Sequence, residues 1–419
     1  MRVIHAAPDA PPVNVYASGS ILAGLENVDY QEGSETIEVD AGSYDVRVEA
    51  VIPGGNMDVI NETLLLEQDT LYNVFAIDTV AQDVEPLILA NPITAVSAGN
   101  ARVQIVHVAP NAPAVDIYVT TPGDDITTAQ PLVTADFRDF TGQTEVAAGD
   151  YQVRITLAGA TEVIYDSGTL SLTDGADLVV AATQSVAAGG SPVTLLIIDD
   201  AGAGQVLDVN SGSDLRVVHG IADAPAVDVI ANNEIVLFDG PQFTQFSEYI
   251  NIGAASYTID VVADADNNIV AIDDAPVTLE SGKIYTAIAN NTLANADLDL
   301  VTDMPRSVAT EAKVRIIHAA SAAGAVDLYI TSDGGIIAVE PSFVNIDYST
   351  GALTDTGYVS LAAGDYVVTV TATGSKEAVI ETPVLSLDGG GVYTAIAVNG
   401  EADMPPQLIT LDDLAGPSI

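Results

Sequence analysis

RVIHAAPDAPPVNVY (Arg2–Tyr16) returns three times along the chain, and its return decides the fold. The copies are QIVHVAPNAPAVDIY (Gln104–Tyr118), RVVHGIADAPAVDVI (Arg216–Ile230) and RIIHAASAAGAVDLY (Arg315–Tyr329). All four histidines of the chain, His5, His107, His219 and His318, occupy the same place in this phrase, at steps of 102, 112 and 99 residues. A period of that length is the size of a domain, so one supersecondary unit is copied in tandem.

Working outward, two further phrases recur once per unit. DAGSYDVRV (Asp40–Val48), AAGDYQVRI (Ala147–Ile155), GAASYTIDV (Gly253–Val261) and AAGDYVVTV (Ala362–Val370) each set small residues before a tyrosine that opens a strand. Tyr44, Tyr151, Tyr257 and Tyr366 match the tyrosine corner of immunoglobulin-like sandwiches, with Val46, Val153, Ile259 and Val368 where those domains can carry a cysteine. DTLYNVFAI (Asp69–Ile77), GADLVVAAT (Gly175–Thr183), GKIYTAIAN (Gly282–Asn290) and GGVYTAIAV (Gly390–Val398) form the third, with Leu178 where the others have Tyr72, Tyr285 and Tyr393. A last apolar run, such as Leu195–Asp199 or Leu408–Asp413, closes a unit. Short alternating segments bounded by Gly, Pro, Asn and Asp read as strands. Within V-D-V the valines enter the core and the Asp between them is expected to face solvent. The prolines before it mark a turn or strand crossing.

The fold class is therefore all-β: four tandem antiparallel β-sandwich domains, immunoglobulin-like or transthyretin-like. Their boundaries are expected at 1–98, 99–212, 213–310 and 311–419. The linkers Ala90–Asn100, Ala201–Asp214 and Thr302–Ala312 are short, so neighbouring units should touch and form a semi-rigid rod.

At 419 residues, 48% of them hydrophobic, each unit has material for its own core. Cysteine is absent, which excludes disulfides, thiolate metal sites and cysteine nucleophiles. The 59 acidic and 11 basic residues give a formal charge of −48, which excludes nucleic acid and anionic membrane surfaces as partners. Acid enrichment with only Lys283, Lys313 and Lys376 suits a saline or divalent-rich exterior, where self-repulsion is screened. No apolar run is long enough to span a membrane as a helix. Met1 runs straight into the first phrase, which points to an export signal already removed and to an extracellular or cell-surface location.

The HAAPDAP…V-[DN]-V-Y opening with a later A-G-x-Y strand resembles the bacterial domain-of-unknown-function family 4397, once per unit. Units one and two match best. Unit three has Ala222 for the first proline, and unit four has SAAGA for PDAPA. The resemblance implies an exported β-sandwich and brings no catalytic residues.

Candidate sites follow from the repeats. His107, His219 and His318 lie nine residues before Asp116, Asp228 and Asp327, and in unit one Asn14 stands in the Asp position, nine residues after His5. A metal site or acid/base pair is one reading. With one His per unit, the ligand count favours the other: a His that bonds a loop carbonyl or that Asp and fixes the turn. Arg2, Arg216 and Arg315 lie three residues before the His, and Arg47 and Arg154 three after the corner Tyr, as expected for strand-face ion pairs. Asp264, Asp266 and Asn268 have the spacing that opens a calcium loop. Ile269 and Ala275 stand where that loop needs Gly and Glu, so a hairpin turn with weak calcium contact is expected. The pairs Asp124–Asp125, Asp199–Asp200, Asp273–Asp274 and Asp412–Asp413 read as solvated, able to share cations between chains. No nucleophile elbow, zinc helix motif or phosphate loop occurs.

These readings lead to a non-catalytic secreted or surface-displayed structural protein, used in adhesion, matrix or filament formation, with no cofactor beyond calcium. Its first strand, with no chain before it to cover its edge, is expected to take part in head-to-tail self-association, unit four of one chain against unit one of the next with divalent cations between acidic turns, or in contacts with other surface proteins. The alternative is an array of binding modules that recognise a glycan or other ligand through sandwich-end loops. The absence of Trp, and Tyr confined to strand and corner positions, favours structure over sugar binding.

Overall fold

The computed structural model describes residues 1–402 and 404–414. Alternation becomes strand throughout; the helical turns among the described residues are short 3₁₀ segments at Val80–Gln82, Ile126–Thr128 and Leu293–Asn295. The described residues form eight sheets, which pack as four two-sheet sandwiches.

Residues 99–212 display the plan. The His strand Asn100–His107 lies between Thr144–Ala147 and Asp177–Gln184, and Val193–Asp199 follows on the far side. The opposite sheet runs Val133–Ala135, Val115–Thr120, Gly149–Leu157, Val163–Leu172. The proline-rich stretch after the His thus carries the chain from one sheet to the other. All neighbours are antiparallel except one: the His strand runs parallel to Asp177–Gln184. The same parallel pairing joins Arg2–His5 to Thr70–Ile77, Ser213–His219 to Ile284–Asn290, and Ala312–Ala319 to Val392–Val398. In the immunoglobulin constant arrangement the first two strands share a sheet. Here they lie in opposite sheets, which leaves the transthyretin-like arrangement of the two alternatives.

The chain gathers into two compact bodies. One is Met1–Ser211 with Val308–Thr310; the other is Gly212–Ser307 with the described residues from Glu311 onward. Each body holds two sandwiches and a further apolar layer between them. In the first body Ile4, Phe75, Ile77 and Leu89 meet Val106, Val179, Leu196 and Ile198. In the second, Val218, Ile288 and Val301 meet Ile317, Ile396, Ile409 and Leu411. The His-bearing sheets therefore bury both faces, one inside their own sandwich and one against the neighbouring sheet. That explains why every residue of Arg2–His5 is buried, as in sheets covered on both sides.

Two expectations change. The stretch Ala201–Asp214 is not simply a linker, because Gly202–Val206 adds a strand beside Val193–Asp199 and Ser213 begins the next sandwich. Gly33 lies against this added strand; a Cβ there would sit 2.9 Å from the Ala203 Cβ, so only glycine fits. The edge of the first strand is also not open. Residues 31–37 run along it, with Gln31 N donating to His5 O at 2.8 Å, His5 N to Glu32 O at 2.9 Å and Ser34 N to Val3 O at 2.9 Å.

Candidate functional site

The four histidines sit at strand ends and hold the turn that follows. His219 Nδ1 accepts from Ile221 N at 3.4 Å and its Nε2 donates to Pro225 O at 3.1 Å. His318 repeats this with Ala320 N at 3.3 Å and Gly324 O at 3.2 Å, and His5 with Ala7 N at 3.4 Å and Pro11 O at 3.0 Å. His107 Nδ1 accepts from Ala109 N at 3.3 Å, and its Nε2 lies beside the Pro113 carbonyl without a bond of good geometry. An Nδ1 that accepts and an Nε2 that donates define one neutral tautomer. Burial pushes the His107, His219 and His318 imidazoles below their ordinary value, which favours this neutral form. Edge-on aromatic rings close three of the pockets: Tyr30 on His5, Phe243 on His219 and Tyr348 on His318.

The repeat aspartates do not meet the histidines, nor do they face solvent. Asp116, Asp228 and Asp327 are buried beneath the loops at the sandwich end. Asp327 accepts from Asn345 N at 2.9 Å and Gly374 N at 2.8 Å; Asp116 accepts from Thr134 Oγ1 and from Gly159 N at 2.8 Å. Alternation aims them away from the core, but neighbouring turns fold over them and supply N–H donors. Asn14 stands in for them in the first sandwich, accepting from Asn27 N at 2.8 Å.

Each corner tyrosine donates its hydroxyl to the carbonyl four residues upstream: Tyr44 to Asp40, Tyr151 to Ala147, Tyr257 to Gly253 and Tyr366 to Ala362, at 2.7–2.9 Å. Tyr72 and Tyr285 act the other way, accepting from Glu67 N and Glu280 N.

Sequence reasoning missed the principal polar network. In the second body Arg216 reaches across to Asp413 at 2.8 Å, and Arg315 reaches back to Asp303. Each carboxylate also accepts from its own sandwich: Asp303 from Thr286 at 2.6 Å and Tyr249 at 2.7 Å, Asp413 from Thr394 at 2.6 Å and Tyr358 at 2.8 Å. Each guanidinium lies over one of those rings, Arg216 over Tyr249 at 4.5 Å and Arg315 over Tyr358 at 4.6 Å. Asp413, read as half of a solvated acidic pair, is buried with its side chain at 0% exposure. The first body has a lighter version. Arg2 pairs with Asp200 at 2.6 Å, but that carboxylate is 87% exposed, and Gln104 with Asn91 at 2.7 Å replaces the second ion pair.

The calcium candidates do not converge. Asp266 Oδ1 accepts from Asn268 N at 3.1 Å and Nδ2 at 2.7 Å, closing a hairpin turn. Asp264 instead joins Asp228 and Asp239, whose ligand oxygens lie within 4.8 Å of one another. Gly240 N donates to Asp228 there at 2.9 Å. No helix among the described residues is long and apolar enough to cross a membrane.

No curated protein matches the chain. A family model, a domain of unknown function, matches residues 1–118 and 213–329, together more than half of the chain. Each match spans one sandwich and the first two strands of the next, ending within Val115–Thr120 and Val326–Thr331. With that coverage, and with the repeated His turn lying inside both matches, the chain belongs to the DUF4397 family.

Proposed function

We propose that this chain is a non-catalytic structural protein of the cell exterior, used in adhesion, matrix or filament formation, and that all four sandwiches are copies of the family's unit. The copies at 99–212 and 311–419 carry the same His turn and tyrosine corner as the two that open the matched stretches. One observation carries the structural reading: the polar side chains of the repeated phrases are engaged in holding the fold. All four histidines accept from a turn N–H and three of them also bind a turn carbonyl, aspartates bind loop N–H groups, and Arg2, Arg216 and Arg315 bind carboxylates of the neighbouring sandwich. A general acid or base needs a group free to reach a substrate; these groups are held by their own chain.

The charge of −48 supports the exterior location and makes association dependent on screening. Because residues 31–37 cover the first strand, assembly is proposed to use cations shared between acidic turns rather than pairing at that edge. Sedimentation velocity at low salt, at physiological salt and with millimolar calcium tests this. Larger species are expected as calcium rises. A monomer under all three conditions contradicts the assembly reading and favours an array of separate binding modules.

A further inference from the structure

The interiors of the second and fourth sandwiches are not filled. In residues 99–212 the inward-facing Val103, Val119, Leu170 and Leu172 are only half-buried. Their counterparts in the third sandwich, Leu215, Ala231, Val277 and Leu279, are buried at 1%, 0%, 7% and 2% exposure. The difference is a cavity of about 310 Å³ between the two sheets at 99–212. In the fourth sandwich the equivalent space is about 510 Å³, and Ile330, Leu385 and Tyr393 line it half-buried. The first sandwich leaves about 60 Å³.

Sequence differences account for both openings. Leu178 lines the second cavity in the place where the sister sandwiches carry Tyr72, Tyr285 and Tyr393. In the fourth, the outer strand is split into Ala378–Glu381 and Leu385–Leu387 around Pro383, whereas the third has one continuous strand, Asp266–Thr278. Thr382 and Val384 on either side line the opening, and Val384 is 60% exposed.

We infer that these two interiors are binding sites for neutral, apolar small molecules. An engineered apolar cavity of about 150 Å³ holds benzene, and ligand pockets start at about 300 Å³. The walls are mostly aliphatic, joined by Phe246 and Tyr393 in the fourth sandwich, and apart from Asp412 the polar side chains are hydroxyls, such as Ser171 and Tyr151 in one cavity and Ser386 and Tyr366 in the other. No lysine or arginine lines either, and Asp412 lines the fourth, so a carboxylate or phosphate head has no cation to meet. Tyr151, Tyr366, Ser171 and Ser386 already donate their hydroxyls to their own chain and are left to accept, so a neutral ligand with one hydroxyl end satisfies both the walls and these oxygens.

The test uses the full chain and N-phenyl-1-naphthylamine, a neutral apolar fluorophore. Saturable binding of one probe per cavity is expected, with displacement by decanol and none by decanoate at neutral pH. Val180→Phe should remove the second-sandwich site and Ala395→Phe the fourth, with circular dichroism reporting the fold. Leu178→Tyr and Ala395→Val, which install residues already used by sister sandwiches, should weaken the same sites if the larger changes unfold the protein. Ile337→Ser, at a residue 79% exposed outside both cavities, should leave binding unchanged. Absence of saturable binding, indifference to all four cavity variants, or equal loss in Ile337→Ser overturns the assignment. Displacement by decanoate as effective as by decanol overturns the ligand class.

Discussion

His219 shows how much one side chain can fix. Its ring bonds the turn at both nitrogens, so His219→Ala leaves the Ile221 N–H and the Pro225 carbonyl without their partner. Stability should fall by about 1–3 kcal/mol, the cost of unmade buried hydrogen bonds, as read by denaturant melts. Acid acts on the same group. A base whose folded value lies below its unfolded value binds more protons when unfolded, so stability is complete above about 6.5. It is lost as pH falls through that value toward the lowered folded one. Wild type should therefore lose more stability between pH 7 and pH 5 than His219→Gln does. Equal losses would show that the imidazole is not held neutral. The His turn was legible in sequence because it is local: donor, acceptor and ring fall within seven residues. The buried aspartates were not, because period-two alternation says which face a residue takes and nothing about loops folding over that face.

At the scale of strands, the ion pairs carry the lesson. Arg216 and Arg315 stand in the repeated phrase, but their partners Asp413 and Asp303 lie at the far end of the neighbouring sandwich. Arg216 and Asp413 are 197 residues apart, beyond any spacing rule, and Arg315 and Asp303, 12 apart, lie on either side of a sandwich boundary. A signal nonetheless existed inside the chain. Arg2, Arg216 and Arg315 are matched by Asp200, Asp413 and Asp303, and where Gln104 replaces the arginine the partner is Asn91. Charged positions pair with charged ones and neutral with neutral. Removing one member of a buried pair strands the other, at about 3–5 kcal/mol. Asp303→Ala should destabilise by that order, while Arg315→Met with Asp303→Leu costs less. A double-mutant cycle by urea unfolding measures the difference, and an additive result would deny the coupling. Arg2→Met should cost less than Arg315→Met, since Asp200 remains in water. The tyrosine corner was legible at this scale, because small residue, Gly and Tyr form one contiguous phrase.

For the molecule as a whole, period and alternation led to four sandwiches, and the structure joins them in pairs within two compact bodies. What hid the pairing is that the second buried face of each His-bearing sheet looks, in sequence, like a strand that is merely more apolar. The central claim is that the third and fourth sandwiches stand or fall together through that face. Hydrogen–deuterium exchange on Asp413→Ala, followed by mass spectrometry, tests it directly. Protection should fall in both Ser213–His219 and Ala312–Ala319, and stay unchanged in Asn100–His107 of the other body. Loss confined to the fourth sandwich, with Ser213–His219 still protected, would contradict the account.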